Sequence, residues 1–372
     1  MAHSCSWSVA YQGILASDES PSTMGKRLVK AGFENTAEMR RQYRSLFYGA
    51  TLSGAISGAI LHPEGLEMHL DDGRSFVEAL RSQGILVGVK VDEGLEPLQD
   101  GFEGETSTKG LEGLGARLDR YKAMGASFAK WRAAIRIVKN VDSATGENVY
   151  EVSALARETN ARQLAAYARI CQQHGVMPIV EPEILIDGDH DEAVFGRVTK
   201  DVLAECMREL LLAGVDIEGI LLKPQMIVRG VDGAPGERGS DASSPTGIAK
   251  RTLRVLRQTV PPGVKGIMFL SGGQTEYQST VNLNTLNVVA RAYPEAYGVP
   301  YALSFSFGRG LQASVLEMWR QGASREACMR KAEEIARVNG LAARGAFFEE
   351  TGAHPTICPR DGNLQETFRG VY

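Results

Sequence analysis

Short apolar runs rich in β-branched residues alternate along this chain with longer segments of helical periodicity. Eight such runs begin at Gly13, Ala55, Ile85, Phe128, Met177, Gly219, Gly266 and Ala302. In the segments between them, apolar residues return every three or four positions, most clearly at 161–174, 194–213, 246–259 and 279–292. Eight strands joined by helical crossovers predict an α/β protein with a single (βα)8 TIM barrel.

The chief structural alternative is an open, doubly wound sheet. That fold normally carries a G-x-G-x-x-G turn after its first strand, and the sequence GILASDES at this place does not provide one. We therefore expect one catalytic barrel over residues 1–348. The segment 230–245 is rich in Gly, Ser and Pro and predicts a loop beyond strand six. The segment 349–372 shows no clear period and predicts a flexible C-terminal tail that contributes to the active site.

The composition narrows the class of protein. The 372 residues are 43% hydrophobic and 23% charged, with a net charge of -4, which is typical of a globular protein and indicates neither a nucleic-acid nor a membrane partner. The five cysteines are scattered and include no C-x-x-C pair, so a reducing compartment is expected. The N-terminal residues do not have the pattern of a signal peptide. We expect a cytoplasmic protein, with the plastid stroma as the alternative if a transit peptide has been removed.

Ionisable residues stand at or near the ends of five of the predicted strands. They are Asp18, Lys90, Lys130, Arg132, Glu181, Glu183 and Lys223. In barrels of this kind the catalytic groups lie at the C-terminal strand ends. One or two such residues could form a structural ion pair, but burying a charge is costly, so seven converging charges favour catalysis over stabilisation.

Lys223 is the best candidate for a nucleophile among these residues. It follows the apolar run Gly-Ile-Leu-Leu, and we expect cations such as Lys130 nearby, so burial and like charge should both favour the neutral amine. Glu181 is a candidate general acid and base for forming and dehydrating a carbinolamine. Glu183 lies on the same strand face and is expected to orient Glu181 or a lysine.

Two groups of residues predict binding sites for phosphate. Ser271, Gly272 and Gly273 end strand seven and Arg309 follows strand eight, where barrels often hold phosphate with loop amides and a helix N-terminus. A second anion site is expected across the barrel opening. Its candidate residues are Ser20, Thr23 and Lys90.

A catalytic metal is not expected. The segment 187–191 (DGDHD) contains ligand-type residues, but it supplies one histidine and lacks the paired His or Cys spacing that zinc prefers. We interpret it as a capping and hydrogen-bonding loop after strand five. No cofactor is predicted.

Beyond these local patterns, the chain resembles the class I fructose-1,6-bisphosphate aldolases over nearly its whole length, most closely the plastid-like and algal branch. The matching segments are GILASDES, GKRL, GVKVDEG, FAKWR, PIVEPEIL, LLKPQM, GIMFLSGGQ, SFSFGRGLQAS and a terminal tyrosine. Their order and spacing make the resemblance specific. It implies a homotetramer that reversibly cleaves fructose 1,6-bisphosphate into dihydroxyacetone phosphate and glyceraldehyde 3-phosphate, in glycolysis and gluconeogenesis or in the Calvin cycle.

The resemblance also implies roles for most of the candidate residues. Lys223 would form the Schiff base, Glu181 would transfer protons, and Asp18 and Lys130 would assist carbon–carbon cleavage. Tyr372 would correspond to the family's C-terminal tyrosine, which exchanges the proton at C3 of the enamine. The expected binding roles are contacts with substrate hydroxyls or the C6 phosphate for Lys90 and Arg132, and with the C1 phosphate for Ser271, Gly272, Gly273 and Arg309.

The chain departs from the family pattern at Glu93, where a lysine is usual and where the reversed charge could weaken substrate binding. Two alternatives to a fructose-bisphosphate aldolase remain at this stage. One is another Schiff-base sugar-phosphate lyase or a transaldolase, although two anion sites favour a bisphosphate. The other is a catalytically weakened barrel that serves as a binding or scaffold protein.

Overall fold

A computed structural model describes residues 12–233 and 244–351. Eight of its strands form one closed parallel barrel in the order β1-β2-β3-β6-β9-β10-β11-β12. The barrel strands are β1 (Gly13–Ser17), β2 (Ile56–Leu61), β3 (Leu86–Lys90), β6 (Phe128–Ile135), β9 (Met177–Ile184), β10 (Leu221–Leu222), β11 (Gly266–Phe269) and β12 (Ala302–Phe307). Each of the eight apolar runs supplies one of these strands, so the prediction of a (βα)8 barrel is confirmed.

Helices surround the barrel. They are α1 (Pro21–Lys30), α2 (Ala37–Tyr48), α3 (Phe76–Arg81), α4 (Leu114–Ala123), α5 (Ala154–Gln173), α6 (Glu192–Leu212), α7 (Pro245–Thr259), α8 (Glu276–Ala292), α9 (Pro294–Tyr297), α10 (Arg309–Arg320), α11 (Arg325–Ala343) and α12 (Phe347–Thr351). Helix α5 begins seven residues before the predicted segment 161–174, because the Ser153 hydroxyl caps it by accepting a hydrogen bond from the Ala156 amide at 3.0 Å.

Two small antiparallel sheets lie beyond the ends of barrel strands and were not predicted. One pairs β4 (Leu95–Pro97) with β5 (Thr106–Thr108), and the other pairs β7 (Val138–Val141) with β8 (Asn148–Glu151). The second hairpin is tied to the loop after β9, because Asp189 accepts hydrogen bonds from Lys139 at 2.6 Å and from Tyr150 at 2.9 Å.

A layer of apolar side chains, here called the barrel floor, lies in the barrel interior. It consists of Ile14, Ala16, Ile60, Phe128, Ile179, Leu221 and Met268. The Phe128 ring fills the space over Gly88, where an added Cβ would lie 2.0 Å from it. Each large side chain buried in this way stabilises the fold by about 1.5–3 kcal/mol.

The two predicted irregular segments are only partly described. Residues 230–233 contain no helix or strand, and α7 begins at Pro245, but the stretch between 233 and 244 lies outside the described residues. The predicted tail boundary at Glu349 falls inside α12, and the rest of that segment, including Tyr372, also lies outside them. In the part of the chain that is described, no helix is long and apolar enough to cross a membrane.

Candidate active site

The C-terminal ends of neighbouring barrel strands bring the predicted charges together. Lys130 is the register partner of Lys90 in β3, and Arg132 is the register partner of Glu181 in β9. Lys223 follows β10, where its amide donates to the Val180 carbonyl at 2.8 Å. Because side chains alternate along a strand, these residues point into the barrel directly above the floor.

Glu181 lies between two lysines. Its Oε1 is 2.9 Å from Lys223 Nζ and its Oε2 is 3.1 Å from Lys130 Nζ. The side chains of Glu181 and Lys223 are each 5% exposed. The sequence predicted cations around Lys223, and this was incomplete, because the group in direct contact with its amine is a carboxylate. That carboxylate can accept a proton from the amine or return one to it.

Lys130 is held by carboxylates on more than one strand. In addition to Glu181, Asp18 contacts its Nζ at 2.8 Å. Burial acts to lower the pKa of Lys130, but Asp18, Glu181 and Asp92 together raise it. For Asp18, burial acts to raise the pKa, because it disfavours the carboxylate. The positive charges of Lys130 and Lys223 outweigh burial, so the Asp18 pKa lies well below its usual range. Lys130 is therefore an ammonium ion and Asp18 a carboxylate at neutral pH.

Glu183 does not occupy the position predicted for it. Instead of orienting Glu181 or a lysine through a direct contact, its carboxylate forms an ion pair with the Arg132 guanidinium. Burial alone would raise the pKa of Glu183, but Arg132, with Lys223 and Arg309 nearby, lowers it. In the structure Arg132 is thus bound by a carboxylate rather than open toward a phosphate site.

Asp92 is a site residue that the sequence analysis missed. Its Oδ1 is 2.5 Å and its carbonyl oxygen 2.7 Å from Lys90 Nζ, and its Oδ2 is 3.8 Å from Lys130 Nζ. The signal was present, because Asp92 stands two positions after Lys90 and so falls on the same face of an extended strand. Because β3 ends at Lys90, Asp92 lies two residues beyond the strand and was not among the strand-end charges.

The residues predicted to bind phosphate at the ends of β11 and β12 lie next to each other. The Gly310 amide, in the first turn of α10, donates to the Ser271 hydroxyl at 3.4 Å. Gly273 has a φ of 76°, and an added Cβ would lie 2.2 Å from Ile186, so this turn requires glycine. Arg309 is the first residue of α10. Backbone amides, a helix N-terminus and a guanidinium therefore meet where the anion site was predicted.

Only some of the residues predicted for the second anion site contact one another. Ser20 caps α1, and its hydroxyl donates to the Thr23 hydroxyl at 3.1 Å. Lys90 is bound to Asp92 rather than to either hydroxyl. Glu93, the departure from the family pattern, turns to Arg117, with 3.4 Å between Oε1 and Nη1.

The loop at 187–191 caps and braces neighbouring elements. Asp191 caps α6 by accepting a hydrogen bond from the Val194 amide at 2.8 Å, and the buried His190 ring stacks on Phe195. Across residues 12–233 and 244–351, no group of His, Cys, Asp and Glu side chains is arranged to hold a metal ion.

Comparison with known proteins gives a consistent result. The family model for fructose-bisphosphate aldolase class-I matches residues 5–357. The chain is 46% identical over 339 residues to a non-muscle fructose-bisphosphate aldolase of Lethenteron camtschaticum, which covers 90% of this chain and 87% of that protein. It is 44% identical over 349 residues to the fructose-bisphosphate aldolase of Dictyostelium discoideum, covering 92% and 91% of the two chains.

A solved structure extends the similarity to the fold. It is the fructose-bisphosphate aldolase of Plasmodium falciparum in complex with TRAP and a small-molecule inhibitor. The two chains are 40% identical and superpose with a TM-score of 0.81, covering 91% of this chain and 92% of that one.

Proposed function

Since this chain belongs to the class-I fructose-bisphosphate aldolase family, we infer that it is an aldolase whose Schiff-base residue is Lys223. It reversibly cleaves fructose 1,6-bisphosphate to dihydroxyacetone phosphate and glyceraldehyde 3-phosphate. One observation carries the assignment to Lys223: the only ion pair of its buried amine within the described residues is at 2.9 Å with Glu181, a carboxylate that can remove and return a proton.

The first half of the reaction forms the Schiff base. Lys223 transfers a proton to Glu181, and its neutral amine attacks the C2 ketone to give a carbinolamine. Glu181 then delivers a proton to the C2 hydroxyl, which leaves as water. The iminium that results withdraws electrons from C2 and weakens the bond between C3 and C4.

Cleavage of that bond requires removal of the proton on the C4 hydroxyl. We assign this step to Asp18, which is ionised and lies against Lys130 at 2.8 Å. As the C3–C4 bond breaks, its electrons enter the iminium to form an enamine, and the C4 oxygen becomes the aldehyde of glyceraldehyde 3-phosphate. The Lys130 ammonium stabilises negative charge on the oxygen while it develops.

The substrate is a sugar bisphosphate, and each phosphate needs its own cationic or amide-rich site. We place the C1 phosphate on Ser271, Gly272, Gly273 and Arg309. The C6 end then reaches toward Ser20 and Thr23 at the start of α1, with Lys90 and Arg132 contacting the hydroxyls or that phosphate. Both cations must exchange part of their contact with Asp92 and Glu183 for the substrate.

The covalent assignment is tested by trapping. The full chain is incubated with dihydroxyacetone phosphate, reduced with borohydride and mapped by mass spectrometry, and we expect the label on Lys223. A label confined to Lys90 or Lys130 would contradict the assignment. In a parallel reaction, turnover should survive EDTA, and activity that is lost in EDTA and restored by zinc would also contradict it.

We further propose that Tyr372 exchanges the C3 proton of the enamine. A phenol with a pKa near 10 can relay a proton when the tail covers the site and excludes water. Deletion of Tyr372 should slow C3 proton exchange and cleavage while borohydride labelling of Lys223 persists. If exchange and turnover are unchanged in the truncated chain, the tyrosine has no such role.

The assembly and the cellular location are also proposals. The family resemblance over most of the chain supports a homotetramer, which light scattering of the purified protein would test, and a monomeric mass would contradict it. A cytoplasmic location, with the plastid stroma as the alternative, would be tested by imaging a tagged chain in its own cell.

A further inference from the structure

Two buried lysines, Lys130 and Lys223, flank the same carboxylate, yet only one is assigned as the nucleophile. Both contact Glu181, at 3.1 Å and 2.9 Å, and both are almost fully buried. Burial and contact with Glu181 therefore do not distinguish them. The remaining surroundings of each amine must decide which one loses its proton.

The surroundings differ in the number of carboxylates. Lys130 is faced by Asp18 from the end of β1 at 2.8 Å, by Glu181 from β9, and by Asp92 from the end of β3 at 3.8 Å. The only ion pair of Lys223 within the described residues is with Glu181. The three carboxylates within 4 Å of Lys130 favour its ammonium form.

Two contacts besides Lys130 hold the Asp92 carboxylate in this place. Its side chain is 5% exposed, its Oδ1 binds Lys90, and its Oδ2 accepts a hydrogen bond from the Arg132 amide at 3.4 Å while facing Lys130. The Arg132 amide belongs to the β6 backbone, so this contact holds the carboxylate beside Lys130 even when Lys90 exchanges part of its contact for the substrate. Asp18 and Glu181 are proposed to transfer protons during the reaction, whereas no proton transfer is assigned to Asp92.

The ion pairs that connect Lys130 and Lys223 form a network, here called the inner charge cluster, which is balanced when Asp92 is included. It contains three cations and three carboxylates: Lys90, Lys130, Lys223, Asp18, Asp92 and Glu181. Without the Asp92 charge the cluster carries a net charge of +1, and a buried cluster can lower this charge by releasing a proton from a lysine. Lys130 would be directly affected, because it faces the missing charge.

We propose that Asp92 is a positioning residue that decides which lysine becomes the nucleophile. It keeps Lys130 as an ammonium ion next to the reacting oxygens and so leaves Lys223 as the amine that gives its proton to Glu181. This inference rests on the proposed role of Lys223. It goes beyond that role by assigning the choice between two neighbouring lysines to a residue that need not touch the substrate.

The test compares the full wild-type chain with Asp92→Asn, which keeps the shape and removes the charge. With fructose 1,6-bisphosphate, kcat at about pH 9 should fall several-fold relative to the wild type, because Lys130 loses its proton at lower pH when the Asp92 charge is gone. The alkaline limb of the kcat profile should move to lower pH by about one unit or more, the size expected from loss of one close opposite charge. Asp92→Glu, which restores the charge, should recover part of both effects.

Trapping provides a second readout that a purely structural role would not change. After incubation with dihydroxyacetone phosphate at pH 9 and borohydride reduction, the wild type should carry label on Lys223 alone, and Asp92→Asn should also carry label on Lys130. The matched control is Glu105→Gln, another buried carboxylate, which binds the Ser153 amide at 2.7 Å and lies in no ion pair within the described residues. It should match the wild type in both measurements.

The outcomes separate this inference from the proposed function. If the wild type labels Lys223 while Asp92→Asn keeps both its alkaline limb and its labelling pattern, the role of Asp92 is overturned. If the wild type itself is not labelled on Lys223, the proposed function fails instead. Should Asp92→Asn not fold, Asp92→Glu decides, because moving the carboxylate by one methylene should shift the alkaline limb in the same direction by a smaller amount, and an unmoved limb contradicts the inference.

Discussion

The barrel floor and the inner charge cluster are two layers of side chains that lie two residues apart along the strands. On β9, Ile179 belongs to the barrel floor, and Glu181, two residues later, belongs to the inner charge cluster. Leu221 and Lys223 have the same relationship at the end of β10. Each pair shares one strand face, so the local backbone does not distinguish the layers, and only the side chain and the height along the barrel do.

The difference shows how the barrel divides stability from chemistry. The floor consists of apolar side chains and lies in the interior below the charges. Interactions among buried charges are stronger in a medium that excludes water. The floor thus strengthens the ion pairs of Glu181 and Lys130, and those pairs in turn offset the cost of burying charge so close to the centre of the fold.

The largest expected effect on kcat comes from replacing one charged residue of the cluster with an apolar residue like those of the floor. Lys223→Met places an apolar side chain in the charge cluster and should lower kcat by about 10⁴-fold or more, the range seen when a covalent nucleophile is removed. Steady-state cleavage of fructose 1,6-bisphosphate measures this loss. Circular dichroism should show a folded barrel, and turnover near the wild-type value would contradict the proposed role.

A matched change in the floor should have the opposite signature. Phe128→Ala leaves a cavity over Gly88 and should lower the free energy of unfolding by about 3–5 kcal/mol, measured by denaturant titration. Because Phe128 lies two residues below Lys130, kcat per folded molecule should change much less than in Lys223→Met. A variant that keeps its stability but loses its turnover would show that the layers do not divide these tasks.

A smaller effect is expected at the edge of the charge cluster, where substrate is bound rather than transformed. Arg309→Ala should weaken binding of both the bisphosphate and dihydroxyacetone phosphate by about 2–3 kcal/mol, the value of a lost charge-assisted contact. Product inhibition by dihydroxyacetone phosphate measures it directly. Arg320→Ala, at the exposed end of the same helix, is the control and should leave inhibition unchanged.

The same comparison explains how much could be predicted from the sequence. The eight strands were found because each is an apolar run between amphipathic helices, and the charges at their ends marked the site. The identity of each charge's partner could not be found this way. Glu183 binds Arg132, and Glu181 separates Lys223 from Lys130, because strand register and side-chain length decide such contacts between strands that are distant in the chain.

Other features were missed because their pattern is short. The β7–β8 hairpin has only four residues in each strand, too few for a clear alternation. Asp92 follows the last assigned residue of β3, and its importance depends on Lys130, which lies on another strand. Both would have needed knowledge of which strands are neighbours in the barrel.

The last predicted effect lies just outside the cluster, at His62 after β2. Its Nδ1 accepts a hydrogen bond from the Glu64 amide at 3.3 Å and so caps a short turn. Burial, with Arg44 and Lys90 nearby, lowers the pKa of His62 to about 4. Because an unfolded histidine titrates near 6.5, the unfolded chain binds the proton first, and stability is lost as pH falls from about 6.5 to about 4.

His62→Asn keeps a side chain that can cap the turn and removes the titration. The variant and the wild type should therefore have similar free energies of unfolding at pH 7 to 8. Below about pH 6.5 the wild type should lose stability relative to the variant, and below about pH 4 the difference should become constant, since His62 is then protonated in both states. Denaturant titrations at half-unit pH steps measure this. Parallel curves across the whole range would mean that His62 binds its proton equally in the folded and unfolded chains.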